Sequence, residues 1–328
     1  MTNRPTNREE NTNKQRPQTA PPAEVVGNDS LPVPRENTSS RSGEAVPRTW
    51  IHPNRLKELR SHLDERDAAV LASIHQCRCL TSDQVCRLHF TDHTTQNAAT
   101  RATNRNLKKL RDMHLIAPTR RRIGGMRKGS TQHIWHMTEP GERMLTLLFP
   151  DTHKPRRFIE PSEQFLRHTL AVAECSLQIR EICARNDNLR FETLELEPAC
   201  WRPYSHIGRI ISLKPDLFAE TELTESVNGV DEVYDECWFI EMDLGTEPVS
   251  VILNQCRRYH DYYRTGLEQA KRKIFPMVVW IVRDLRRKEL LLGRIAEAFP
   301  GQPKLFTVIL LEELEPLLCQ GLEGIKLC

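Results

Sequence analysis

Cys237-Trp238-Phe239-Ile240-Glu241-Met242-Asp243-Leu244-Gly245-Thr246 reads as a short buried strand that runs into a turn. Trp238, Phe239 and Ile240 form an apolar run of strand type, with an acidic segment before it and Gly245 after it. Successive side chains on a strand alternate faces, so Glu241 and Asp243 project to one side. Lys214-Pro215-Asp216-Leu217-Phe218 supplies a second short strand, which Asp216 opens. If the two strands pair, three carboxylates meet at one end of a sheet. Mutual repulsion raises carboxylate pKa values unless a cation, a proton or water relieves it. Hard oxygen ligands of this kind suit Mg²⁺ or Mn²⁺, with substrate phosphate completing the shell. A solvated acidic edge has the same spacing and is the plain alternative.

Outward from that strand, the 328-residue chain is long enough for one to three domains and a sizeable core. Its net charge is only +3, but the charges are unevenly placed. From Arg101 to Lys128 there are ten basic residues and one acidic one, whereas residues 216–247 are rich in Asp and Glu and contain no Lys or Arg. That polarity implies two surfaces with different roles. No run of eighteen apolar residues occurs, and the N-terminus has no apolar signal-peptide core, so a soluble, cytoplasmic protein without a membrane partner is expected. The ten cysteines show no CxxC spacing and are expected as reduced, packed thiols. Cys77, Cys79, Cys86, His89 and His93 fit no zinc spacing, and packing is the expectation for them too.

Residues 1–48 are rich in Asn, Thr, Arg and Pro and have no helical or strand period. Too little apolar surface is present to offset ordering entropy, which predicts a disordered tail, drawn at 1–54. From Arg55 on, Leu56, Leu59 and Leu63 and then Val70, Leu71 and Ile74 mark a compact helical start. Thr81 and Gln84 have capping-box spacing ahead of Val85 and Leu88. A third helix from about Thr94 to Met113 packs through Ala98, Ala102, Leu107 and Leu110 and turns Arg101, Arg105, Lys108 and Lys109 outward. Two short strands, Thr119–Ile123 and Gln132–Met137, flank Gly124-Gly125 as a hairpin. Thr138 then restarts a helix.

Three helices, a basic hairpin and a further helix are the order of a winged helix-turn-helix, assigned to 55–148. A helix in the major groove needs small polar side chains at its N-terminal end for base edges and basic ones for phosphates. Thr94, Thr95, Gln96 and Asn97 suit the first need, and Arg101, Arg105 and Lys108 the second. Arg120, Arg121, Arg122, Arg127 and Lys128 would set the wing against the backbone or minor groove. A solvated basic face, or a protein-docking winged helix, has the same look.

A linker is assigned to 149–161 and a second domain to 162–328. There, a long amphipathic helix carries Glu174 within a small and apolar turn. Strands are expected at 190–197, 207–213, 215–220 and 237–243, separated by an acidic loop. Helix 249–264, strand 275–282, helix 285–299 and strand 305–311 follow. The result is an α/β layer fold, α+β overall, with a mixed sheet flanked by helices.

The order of Glu174 on a helix, Pro215-Asp216, Glu241-x-Asp243, and then Gln255 and Tyr259 on a helix resembles the PD-(D/E)XK nuclease core. With the winged helix in front and the phrase from Glu241 to Tyr263, the chain resembles the replication-relaxation family of plasmid-borne and mobile-element proteins, over roughly residues 64 to 300. The resemblance implies a DNA-binding protein tied to plasmid replication or DNA relaxation. It implies Asp216 and Glu241 as metal ligands and Glu174 as the helix carboxylate of a catalytic set that also includes Asp243. Nucleases of this class have Lys where this chain has Asp243. An ammonium there orients the attacking water and neutralises developing charge, which a carboxylate cannot do, although it can bind a metal or accept a proton. Arg257 or Arg258 is the alternative cation. Two functions therefore stand: a DNA-binding protein with an inactive nuclease-like second domain, partnered by a replication or mobilisation protein or by a second copy of itself, and a Mg²⁺-dependent DNA endonuclease.

Overall fold

The structure, a computed structural model of the chain, describes residues 50–120, 133–157, 159, 161–227, 230–301 and 305–324. The tail assigned to 1–54 lies outside this range up to residue 49. Ile51 is already buried and the first helix, α1 (Pro53–Arg60), starts two residues ahead of Arg55. Pro53 suits the first turn, where its missing N–H costs nothing. The helical pattern from Leu56 to Ile74 is split, because Asp64 forms a reciprocal capping box with Asp67 and restarts the chain as α2 (Glu65–Gln76).

A three-residue strand that periodicity does not announce, β1 (Cys79–Thr81), leads into α3 (Ser82–His89), where Thr81 and Gln84 form the expected capping box. Then come α4 (Gln96–Asp112), β2 (Ile116–Pro118), β3 (Ile134–Met137) and α5 (Glu139–Leu148). β3 is central in a small antiparallel sheet of order β1-β3-β2. The strand that precedes the expected turn is Ile116–Pro118; of the expected 119–123, residues 119 and 120 are not in a strand and 121–123 lie outside the described residues. Arg121, Arg122, the Gly124-Gly125 turn, Arg127 and Lys128 lie outside the described residues. Val70, Leu71 and Ile74 of α2, Leu107 and Leu110 of α4, and Met144 of α5 share one apolar core with Leu115 and Trp135.

The second half begins with α6 (Glu163–Arg185), capped by Ser162. β4 (Leu189–Leu196), β5 (Arg202–His206), β6 (Arg209–Leu213), β7 (Leu217–Val227) and β8 (Val230–Asp243) follow, then α7 (Val249–Thr265), α8 (Leu267–Arg272), β9 (Met277–Val282), α9 (Leu285–Ala298), β10 (Phe306–Leu310) and α10 (Leu314–Gln320). Five strands make a mixed sheet of order β10-β9-β8-β7-β4, with β8, β9 and β10 parallel and β7 antiparallel to both neighbours. The fold is mixed α+β, as expected.

The expected acidic loop is instead the far part of the β7–β8 hairpin, paired from Leu217 with Ile240 out to Val227 with Val230. On β7 the alternation is real: Thr221 and Leu223 are buried while Glu220 and Glu222 are partly exposed, whereas residues 232–235 of β8 are all exposed. Carboxylates on the outer side of a strand pattern hide its period. Along β8, Trp238, Ile240 and Met242 face α6 and α10, whereas Cys237 and Phe239 face α7 and α9. The buried free thiols Cys175, Cys183, Cys200, Cys237 and Cys256 pack in these two layers. Among the described residues no helix is long and apolar enough to cross a membrane.

Candidate functional site

The alternation that buries Phe239 carries Glu241 onto the α7 side of the sheet, where it is 4 % exposed. Its Oε1 accepts from Gln255 Nε2 at 2.6 Å and from the Tyr259 hydroxyl at 2.5 Å. Gln255 and Tyr259 are four residues apart on α7 and so present both donors from one helix face. Burial, and next the charge of Asp216, push the Glu241 carboxyl well above the usual carboxylate range.

Asp216 immediately precedes β7, one step beyond the Leu217–Ile240 pair, beside Glu241. Its Oδ2 accepts the Met242 backbone N–H at 2.8 Å and faces His168 Nε2 at 3.1 Å. Burial opposes the charged form of His168, but the hydrogen bond and charge of Asp216 outweigh it and raise the imidazole pKa. The contact with this carboxylate thus favours the imidazolium form of His168 over the neutral ring.

Asp243 shares the Glu241 side, as alternation requires, but both its oxygens are engaged. Oδ1 accepts the Gly245 N–H at 2.8 Å and Oδ2 pairs with Arg287 Nε at 2.6 Å. Gly245 turns the chain there with φ +76°, a conformation glycine adopts without strain. Arg287 also donates to the Glu247 carbonyl, so the whole turn after β8 is tied to α9.

Asp216, Glu241 and Asp243 line one cleft of about 470 Å³ together with His168, Glu197 and Lys214. Glu174 does not line it; its carboxylate is held by Arg87 Nη1 at 2.7 Å and Gln84 Nε2 at 3.1 Å, against α3. Arg257 and Arg258 do not line it either. The basic side chains that do are Arg78, Lys214 and His168. His168 had one readable signal: Gln164 and His168, four apart, put two polar groups on one face of α6, and Gln164 bonds the Thr246 hydroxyl at 3.0 Å. Glu197 and Lys214 had none, since they enter through the ends of β4 and β6.

The other candidate surface is α4. Asp67 is fully buried and bonds Asn106 and Lys109 from α4, which fixes that helix against α2 and turns Lys109 inward. Ala99, Ala102, Thr103, Leu107 and Leu110 are buried, while Gln96, Asn97, Arg101 and Arg105 are exposed. Thr95 caps the helix through its hydroxyl, which accepts from Ala98 N, and Thr94 is exposed just before it. Arg101 and Arg105 make no ion pair among the described residues, and Lys108 pairs with Asp112. Arg120, two residues beyond β2, is exposed.

No curated protein and no solved structure matches this chain. The family pattern described as replication-relaxation matches residues 71–278, more than half of the sequence, which spans both α4 and the carboxylate cleft, and the chain belongs to that family.

Proposed function

We propose that this protein binds double-stranded DNA through the exposed face of α4, as a winged helix-turn-helix, and acts in the replication or maintenance of a plasmid or mobile element. One observation carries the reading: α4 presents polar and basic side chains outward with no acidic residue before Asp112, and Arg101 and Arg105 have no intramolecular partner among the described residues. Unpaired arginines on a helix face are the groups that meet phosphates, and Thr94, Gln96 and Asn97 at its N-terminal end are the ones that reach base edges. Lys108, Arg120 and the basic residues that follow in sequence add to the phosphate-facing charge. A replication or mobilisation protein, or a second copy of the chain, is the protein partner of the same reading.

The second half is read as a PD-(D/E)XK-like core because Glu241 is oriented by Gln255 and Tyr259 beside Asp216 in an open cleft. Two carboxylates with one oxygen each outside those bonds suit Mg²⁺ or Mn²⁺, and Asp216 and Glu241 would hold the ion. Bound there, the ion supplies Lewis-acid charge to a phosphate. Asp243 fixes the strand end through Arg287 and Gly245. His168, bonded to Asp216 and biased toward its protonated form, is the group placed to stand in for the lysine of nucleases of this type.

The test uses the full chain. A duplex shift assay at low salt should show binding that Arg101→Ala with Arg105→Ala weakens on every sequence, with a salt dependence shallower by nearly two counterions. Supercoiled plasmid with Mg²⁺ should be nicked by the wild type and not by Asp216→Asn. Absence of binding overturns the DNA reading. Binding without nicking leaves it standing and removes the enzymatic reading of the cleft.

A further inference from the structure

The segment between α5 and α6 brings a second histidine to a buried carboxylate that already has one. Glu142, in the first turn of α5, is 5 % exposed. Its Oε1 lies 2.9 Å from Nδ1 of His75, in the last turn of α2, and its Oε2 lies 3.1 Å from Nε2 of His153. The potential ligand atoms of all three residues fall within 4.8 Å of one another. The two imidazole rings are 4.4 Å apart between centroids and inclined at 61°. The site does not depend on the DNA-binding reading.

We propose that His75, Glu142 and His153 form a zinc site. Two features separate it from a hydrogen-bonded trio. The His153 side chain is only 4 % exposed, yet its Nε2, aimed at the cluster, has no hydrogen-bond partner; at 3.1 Å from Glu142 it is off the line that such a bond needs. A buried ring nitrogen without a partner is costly in a folded chain. Glu142, for its part, is paired with no Lys or Arg among the described residues. Arg156 gives it only a backbone N–H, at 3.0 Å, and sends its guanidinium to the carbonyls of His75 and Glu197. A buried carboxylate with two imidazoles and no cation is the charge arrangement that a divalent ion completes.

The donor set selects the metal. Two imidazole nitrogens and a carboxylate oxygen suit Zn²⁺, whereas Mg²⁺ prefers an all-oxygen shell. Ligand atoms at about 2.0–2.2 Å from a tetrahedral zinc stand about 3.3 Å apart, and donor atoms that already lie within 4.8 Å of one another close to that spacing by side-chain rotation. A cavity of about 90 Å³ borders His75 and Glu142 and has room for a water in the fourth position. The ligands come from the end of α2, the start of α5 and the segment beyond it. A bound zinc would pin the chain that leaves the first core for α6.

The experiment strips the full chain with chelator, dialyses it against micromolar Zn²⁺ with excess Mg²⁺, and measures bound metal and Tm. The wild type and Asp216→Asn should each retain one zinc per chain and show a Tm that rises with zinc concentration. His153→Gln and Glu142→Gln should lose both effects while keeping the metal-free circular dichroism of the wild type. A wild type that holds no zinc, or a His153→Gln variant that holds as much, overturns the site and leaves a hydrogen-bonded trio. If the variants do not fold, Co²⁺ substitution of the wild type decides: intense visible bands of four-coordinate cobalt support the site, and the weak bands of six-coordinate cobalt, or none, overturn it.

Discussion

His168 Nε2 stands 3.1 Å from Asp216 Oδ2, the same oxygen that accepts the Met242 N–H at 2.8 Å. One carboxylate therefore joins α6 to the end of β8 and holds the His168 ring in the cleft. Repulsion among carboxylates alone predicts that neutralising Asp216 stabilises the metal-free protein. With His168 bonded to it, Asp216→Asn should instead lower the Tm, because it weakens that bond and removes the charge that favours the protonated ring.

The pH dependence of that pair has a definite sign. A histidine whose folded pKa is raised contributes stability that is fully present below its unfolded value, about 6.5, and is lost as pH climbs through the folded value. Wild type minus His168→Gln should thus show a Tm difference that shrinks from pH 6 upward. A difference that is flat across that range would mean that His168 has the same pKa in the folded and unfolded chain. The ring proton shifts of His168, followed by NMR, give the titration directly.

Glu241→Gln probes the neighbouring carboxyl. Its raised folded pKa means that stability is fully present below the unfolded value, about 4.3, and falls as pH rises through the folded one. An amide keeps the oxygen that Gln255 and Tyr259 donate to and removes the charge. At pH 8 without metal, the variant should melt above the wild type. With millimolar Mg²⁺ the wild type should gain and the variant should not. A variant that melts below the wild type in the absence of metal would show that Glu241 is ionised and satisfied where it sits.

Gly141 tests the packing of α5. A Cβ built there lies 2.0 Å from the Leu115 carbonyl oxygen, a backbone atom that cannot swing aside. Thr138 bonds the same carbonyl through its hydroxyl at 2.9 Å, so α5 is held at close range to the chain leaving α4. Gly141→Ala should cost at least about 1–3 kcal/mol, the usual range for overpacking, despite alanine's better helix propensity. Chemical denaturation of the full chain measures it, and an unchanged midpoint would show that α5 can lift away.

On α4, Gln96→Ala with Asn97→Ala should relax sequence preference by about 1–3 kcal/mol per lost base contact and leave binding to random duplex intact. Selection of bound sequences from a random pool, for wild type and variant, reads this out. Equal weakening on all sequences would place these side chains on phosphate.

What the sequence made legible follows from the range over which each signal acts. The alternation from Trp238 to Asp243 is local, and it placed Glu241 and Asp243 on one side. Thr81 with Gln84 is equally local and capped α3. The hairpin beyond Cys237 escaped because its outer face is carboxylate, so a two-residue period read as an acidic loop. β1 is too short to show a period at all. His168 with Asp216, Arg287 with Asp243, and His75 with Glu142 join residues 48, 44 and 67 positions apart, and no spacing rule reaches that far. The engagement of Asp243 with Arg287 is of this kind: its residue type suggested a ligand, while its partner arrives from another helix.

Glu174 offers the sharpest division between a role in the cleft and a role in holding the fold. Arg87 spans Glu174 and Glu181 with bonds of 2.7 Å to each, and Gln84 adds a bond to Glu174 at 3.1 Å, so α3 is clamped on α6 by one guanidinium and two carboxylates. The three side chains are 26–31 % exposed, which leaves the bonds partly screened, and Arg87→Ala should cost about 1–2 kcal/mol. Glu174→Gln should lose part of that and leave the metal-induced rise in Tm untouched, since the carboxylate does not line the cleft. The coupling between Arg87→Ala and Glu174→Gln in a double-mutant cycle should be clearly non-zero, as expected for groups in contact. If Glu174→Gln instead abolishes the response to Mg²⁺ with the fold intact, then α6 presents this carboxylate to the cleft in the metal-bound state, and Glu174 belongs with Asp216 and Glu241.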